Sequence, residues 1–257
     1  MKRLAIIIAI LSFFAVPATS LAMDMSGYQP PAPFGVFSTA SAETPEPMQS
    51  AVSFTYEKVG GPDFNRYSTQ LAMGLSRSIE FGINIPYVDD SVEEGMEDIT
   101  FSLKHRFFDE GKYGPSAAYI LTGAKSSNNE KYSTKGGYGG GLIASKRIGP
   151  VQVLFNALYT NPKQEELEDD IRGSLGFIFA ADHNFNLLAE IMARKSYYSR
   201  SLDQAEARIG YRFLYGNRIY STLGVALGID DKGPDYRILL SISLLFPKMK
   251  MSVQDLD

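Results

Sequence analysis

Apolar residues recur at every second position near the end of the chain: Tyr236, Ile238, Leu240, Ile242, Leu244 and Phe246. Arg237, Leu239, Ser241, Ser243 and Leu245 lie between them. A period of two puts the two sets on opposite faces of a strand. One face is continuously apolar, and the other is mixed and small.

The same period runs back along the chain. Val52, Phe54 and Tyr56 alternate with Ser53, Thr55 and Glu57. Phe81, Ile83, Ile85 and Tyr87 alternate with Glu80, Gly82 and Asn84, and Ile99, Phe101 and Leu103 with Thr100, Ser102 and Lys104. Leu71–Leu75, Ala117–Leu121 and the glycine-rich Tyr138–Lys146 supply weaker candidates. The second half is cleaner. Phe155, Phe177, Leu187, Ile209 and Val225 each lie on an apolar face opposed by Asn, Ser, Glu, Arg or Thr. These patterns predict about twelve strands of about ten residues, the length that crosses a bilayer when tilted.

The connections alternate between short and long. Arg77-Ser78, Ile148-Gly149-Pro150, Ala181 to Asn184 and Tyr215-Gly216-Asn217 are short. Gly60 to Asn65, Asp89 to Glu97, Lys125 to Lys135, Asn161 to Asp170, Ser196 to Leu202 and Asp230 to Asp235 are longer and polar. Tight turns at one end and polar loops at the other are the pattern of an outer-membrane barrel. A soluble up-and-down barrel would carry its charges outside. Here the continuous apolar set must be outside if the charged set lines a narrow lumen. The expected fold is all-β, an antiparallel up-and-down transmembrane β-barrel over residues 49–246.

The N-terminus adds an export signal. Lys2 and Arg3 precede an apolar run from Leu4 to Val16, then Pro17 and the small-residue site Ser20-Leu21-Ala22. Residues 1–22 are read as a cleaved signal peptide. No Cys follows the cleavage site, so the signal is not of the lipoprotein kind. Residues 23–48 contain Pro30, Pro31, Pro33, Pro45 and Pro47 and no sustained period, which predicts an irregular periplasmic lead-in. A tether is favoured there over a plug folded into the barrel. Residues 247–257 form a C-terminal tail.

Composition narrows the chemistry. The net charge is −4, and there is no Cys and no Trp. An exported acidic chain is a poor nucleic-acid binder, and thiolate metal sites are excluded. His105, in Lys104-His105-Arg106, and His183, in Asp182-His183-Asn184, have no nucleophile and orienting group at the same predicted end, so no catalytic set is assigned. The acidic run Glu165 to Asp170 reads as a solvated loop rather than a metal site. Gly136 to Gly141 lacks the Lys-Ser/Thr of a phosphate loop. No cofactor is expected.

Three stretches resemble a known family. Glu80-Phe81-Gly82-Ile83-Asn84-Ile85-Pro86-Tyr87, Gly95-Met96-Glu97-Asp98-Ile99-Thr100, and Asp231 to Arg237 are similar to motifs of the outer-membrane proteins named for the meta pathway of phenol degradation. The resemblance spans about residues 45 to 246. It implies a channel or transporter for small molecules, hydrophobic or aromatic among them.

The polar face is then the candidate site. Glu80, Lys104, Arg106, Arg172, Glu190, Arg194, Glu206, Arg208 and Arg212 are expected to face the lumen. They would line a polar pore or pair into a closed interior. The resulting expectation is a channel in the outer membrane of a Gram-negative bacterium. Its partners would be membrane lipid and lipopolysaccharide, a small-molecule solute and the barrel-assembly machinery. The alternatives are a structural barrel with a closed lumen and, below it, a lipid-modifying barrel enzyme or a soluble periplasmic carrier.

Overall fold

The computed structural model describes residues 29–61, 63–129, 131–230 and 233–247. The signal-peptide reading of residues 1–22, the tail from residue 248 and the start of the Asp231 motif lie outside the described residues. Two short strands come first, β1 (Gly35–Val36) and β2 (Thr39–Ala40). Long strands follow: β3 (Ser50–Gly60), β4 (Phe64–Gly74) and β5 (Ile79–Asp90). The short β6 (Glu94–Met96) precedes β7 (Ile99–Phe108), β8 (Ser116–Lys125), β9 (Gly137–Ile148) and β10 (Val151–Pro162). The remainder are β11 (Asp170–Asp182), β12 (Phe185–Lys195), β13 (Gln204–Tyr215), β14 (Ile219–Gly228) and β15 (Tyr236–Phe246).

Twelve long strands pair antiparallel with their neighbours in sequence, and β15 pairs with β3 to close the ring. The fold is a closed twelve-stranded transmembrane barrel, with no helix among the described residues. At the seam Ile242 faces Phe54 and Leu244 faces Val52 across the ladder. Closure leaves no long sheet edge, so the ladder groups of every wall strand have partners, as a bilayer requires.

The period of two becomes an inside and an outside. On β15, Ile238, Leu240 and Ile242 are 37%, 44% and 54% exposed, while Arg237 and Ser243 are fully buried. The exposed residues are the apolar ones, the reverse of a soluble protein. Aromatic rings mark both rims, as the lipid interface favours. Tyr56, Tyr67 and Tyr87 stand in a row towards the loop end, with centroids 5.4 and 6.4 Å apart. Phe185, Tyr211, Phe213 and Tyr215 cluster at the turn end.

One connection is tighter than its sequence suggests. β3 runs to Gly60 and β4 starts at Phe64, so the expected loop from Gly60 to Asn65 is a three-residue turn. Gly61 at φ +95° and Asp63 at φ +51° take the left-handed conformations that let it close.

The larger difference lies before β3. Residues 29–48, within the stretch read as an irregular lead-in from its prolines, lie against the inner wall. Ala32, Val36, Ala40 and Ala42 are buried. The chain passes Gly74 at the turn end, where a side chain would overlap the carbonyls of Pro45 and Glu46. Inside, the β1–β2 hairpin packs on apolar residues of the inner wall. Val36 joins Leu154, Ile178 and Leu188, and Ala40 and Ala42 join Ala118, Ile120 and Ile143. Apolar contact of this kind outweighs the disorder that composition favours.

Candidate functional site

The lumen is occupied at three levels. At the turn end sits the plug, residues 29–48. Its hairpin turn presents two backbone amides to Glu190 of β12. Ser38 N and Thr39 N donate to Glu190 Oε2 at 3.0 and 2.9 Å, and the Ser38 hydroxyl donates to Oε1 at 2.7 Å. Phe37, at φ +31°, turns the backbone so that both amides point the same way, forming a small nest for an anion. The Asn156 amide, oriented to satisfy both of its ends, accepts from Ala40 N at 2.7 Å and donates to Ala40 O at 2.9 Å. Lys104 Nζ donates to the carbonyls of Ser41 and Glu43 at 3.1 and 2.7 Å. Thr39 and Ser174 share a hydroxyl bond of 2.8 Å.

The middle level is a lattice of buried charges. Arg66 of β4 bridges Glu97 at 2.8 Å and Glu57 at 3.4 Å. Arg237 joins Glu57 at 2.9 Å to Glu206 at 3.0 Å. Arg208 joins Glu206 at 2.9 Å to Glu190 at 3.2 Å. The alternation therefore runs from a loop residue, Glu97, across the wall to the carboxylate that holds the plug. Arg194 pairs with Asp170, and Lys104 with Glu80 at 2.8 Å. Such pairs add little net stability, because desolvation offsets attraction, but losing one partner strands a buried charge at a cost of about 3–5 kcal/mol.

The outer level is an apolar cap. Val59, Phe64, Val88, Tyr132 and Tyr197 form one buried cluster, with Leu167 against it. These residues come from strand ends and loops at the long-loop rim. Asp98 fixes the loop between β8 and β9 beneath it, accepting from Ser133 Oγ, Thr134 N, Thr134 Oγ1 and Gly136 N at 2.5–3.0 Å. Lys131 binds Asp90 at 2.7 Å, and that carboxylate holds the Lys131 ammonium above its ordinary pKa.

Between cap and plug a cavity of about 70 Å³ remains. It lies against β8–β11 at the glycine-rich β9. Ile120, Leu158 and Tyr197 make its apolar side, and Thr100, Thr122 and Arg172 contribute polar atoms. The lining could hold a small, partly apolar molecule with a hydrogen-bonding end.

Of the nine charged candidates, Glu80, Lys104, Arg172, Glu190, Arg194, Glu206, Arg208 and Arg212 are buried inside the barrel. Arg106 sits at the turn rim instead, bonded to Asp109 and to the Arg77 carbonyl. Glu57, Arg66, Asp170 and Arg237 were not among the candidates, yet they carry much of the lattice. Each occupies an inward position of the same alternation. The histidines take no part: His105 meets the edge of Tyr119, with ring centroids 5.2 Å apart, and His183 is exposed in its turn. No group of metal-binding side chains occurs among the described residues.

No protein-family model and no curated protein matches the chain, so the resemblance to the meta-pathway family has no support from those comparisons. Solved structures do match. An outer membrane channel from Pseudomonas putida F1 aligns with a TM-score of 0.59 at 12% identity, covering 80% of this chain and 98% of that one. The KdgM porin gives 0.58 at 7% identity, covering 77% and 99%. The NanC porin gives 0.58 at 8% identity, covering 77% and 100%. At these identities the likeness is one of fold: this chain has the barrel architecture of outer-membrane channels and porins.

Proposed function

We propose that the protein is an outer-membrane channel for small, partly apolar solutes, in a conformation closed by its own N-terminal segment. The observation that carries this reading is what fills the lumen. A barrel built only for structure can close its interior with wall side chains. Here a separate stretch of chain enters it, held by hydrogen bonds and small apolar contacts. Withdrawal of that stretch would clear the turn-end level of the lumen, and opening would then require the ion pairs and the cap above it to part as well. The fold of the porins supports the same reading. The mixed lining of the inner cavity favours solutes with one apolar and one polar end. The reading involves no cofactor and no bond-making step. The apolar outer face and aromatic rims fit lipid and lipopolysaccharide of a Gram-negative outer membrane, reached through the signal peptide and the barrel-assembly machinery.

A permanently closed structural barrel is the second reading, and the continuous ion-pair lattice favours it. Planar-bilayer recordings of the full chain and of a variant lacking residues 29–43 separate the two. The channel reading expects rare openings in the first and steady conductance in the second. Silence in both overturns it.

A further inference from the structure

Five buried cations of the lumen, Arg66, Arg194, Arg208, Arg237 and Lys104, each meet a carboxylate among the described residues. Arg212 of β13 is 4% exposed and pairs with no carboxylate among the described residues. Its guanidinium donates to the Thr222 hydroxyl at 3.1 Å and to the Gly35 carbonyl of the plug at 2.8 Å. A cavity of about 30 Å³ adjoins it, lined on the wall by Ser53, Thr222 and Leu239 and on the plug by Ala32 and Phe37. A buried guanidinium stabilised by one hydroxyl and one peptide carbonyl lacks the anion that would compensate it.

We propose that Arg212 is a binding site for the carboxylate of a small organic acid, and that the Gly35 carbonyl occupies the place of that carboxylate when the plug is seated. The proposal rests on the channel reading and names its substrate class. Three features point to a carboxylate. Guanidinium presents a planar fork that a carboxylate matches with two bonds, where a carbonyl makes one. The Thr222 and Ser53 hydroxyls can donate to the same anion. Leu239 and the ring of Phe37 offer an apolar surface to a short carbon chain beside it. Binding there removes one of the bonds that hold the β1–β2 hairpin, so an arriving acid loosens the plug and Phe37 with it. Glu190 keeps its hold on Ser38 and Thr39, so the two contacts bias the hairpin separately.

The test is amide exchange of the full-length protein in detergent or lipid, with sodium butyrate compared with sodium chloride at equal ionic strength. Butyrate should speed exchange of the residues 34–37 amides by about tenfold, the factor one charge-assisted hydrogen bond carries, and should leave Ser38, Thr39 and β7–β10 unchanged. Arg212→Gln should lose the butyrate response, and Arg212→Lys should keep part of it. Equal exchange in the two salts, or a response that survives in Arg212→Gln, overturns the proposal. Should Arg212→Gln fail to assemble, the wild-type comparison and Arg212→Lys still decide. The readout needs no conductance, so it can fail while the channel stands. If the variant without residues 29–43 conducts, its preference for anions should fall on Arg212→Gln; an unchanged preference counts against the site alone.

Discussion

Arg237, the second residue of β15, reaches Glu57 of β3 at 2.9 Å across the seam that closes the barrel. The same guanidinium holds Glu206 two strands away in the wall. Closure is thus both a backbone ladder and a buried ion pair. Arg237→Met leaves Glu57 and Glu206 each one partner short. The expected loss is about 3–5 kcal/mol, the cost of stranding a buried charge. Urea unfolding in lipid measures it. The double variant with Glu57→Gln should lose less than the sum of the two single changes, because the orphaned carboxylate is gone. Additive losses would mean that the pair is not coupled.

Glu190 is the anchor of the plug. Glu190→Ala removes the acceptor for two amides and a hydroxyl of the hairpin. Each orphaned donor costs about 1–3 kcal/mol while it stays buried. The hairpin should therefore leave the wall, and amide exchange at Ser38 and Thr39 should rise well above that of β12. Unchanged protection at those two amides would show that the apolar contacts of Val36 suffice to seat it.

Gly224 offers a steric route to the same end. A methyl group there would overlap the Phe37 ring, whose position is the flexible partner, while the nearest wall atom, the Ile209 carbonyl, is 3.3 Å away. Gly224→Ala should unseat Phe37 with little change in barrel unfolding. Gly210→Ala should differ, because its methyl would overlap the Leu223 carbonyl of the wall itself. Equal damage to barrel stability by both changes would contradict this division.

The outer face makes a prediction about depth. Ile242 is 54% exposed in the apolar band, and Tyr236 lies near the loop rim. Ile242→Arg should cost about 2–4 kcal/mol in a bilayer, and Tyr236→Arg about 0–1 kcal/mol. Equal tolerance of both, with the protein soluble in plain buffer, would indicate a barrel whose outside meets water.

The fold was legible because a membrane barrel repeats one simple rule. Ile238, Leu240 and Ile242 differ from Arg237 and Ser243 only by a step of one residue, and that step decides lipid or lumen. The strand count and the seam between β15 and β3 follow from it. The site was legible in part. Glu190 and Arg208 stand out as charges on an alternating face, whereas Arg66 precedes Leu71, where the apolar alternation of its strand becomes visible in the sequence, although β4 starts at Phe64. Glu57 and Arg237 lay on inward positions in plain view, but a charge near a strand end reads equally well as a rim residue, which is what Arg106 is. The plug left no periodic signal of its own. Its trace is on the wall: Ile120, Leu154, Ile178 and Leu188 are apolar at positions that face the lumen, where water alone would not favour them. Those residues mark where something packs.

The central claim is that the N-terminal hairpin closes a channel. The chain contains no Cys, so a pair introduced by Thr39→Cys and Ser174→Cys, whose hydroxyls now lie 2.8 Å apart, would be the sole thiols. Single-channel recording of this variant should show no conductance when oxidised and repeated openings after reduction by dithiothreitol. Conductance that is the same in both states would place the permeation path elsewhere, and silence in both would contradict the channel.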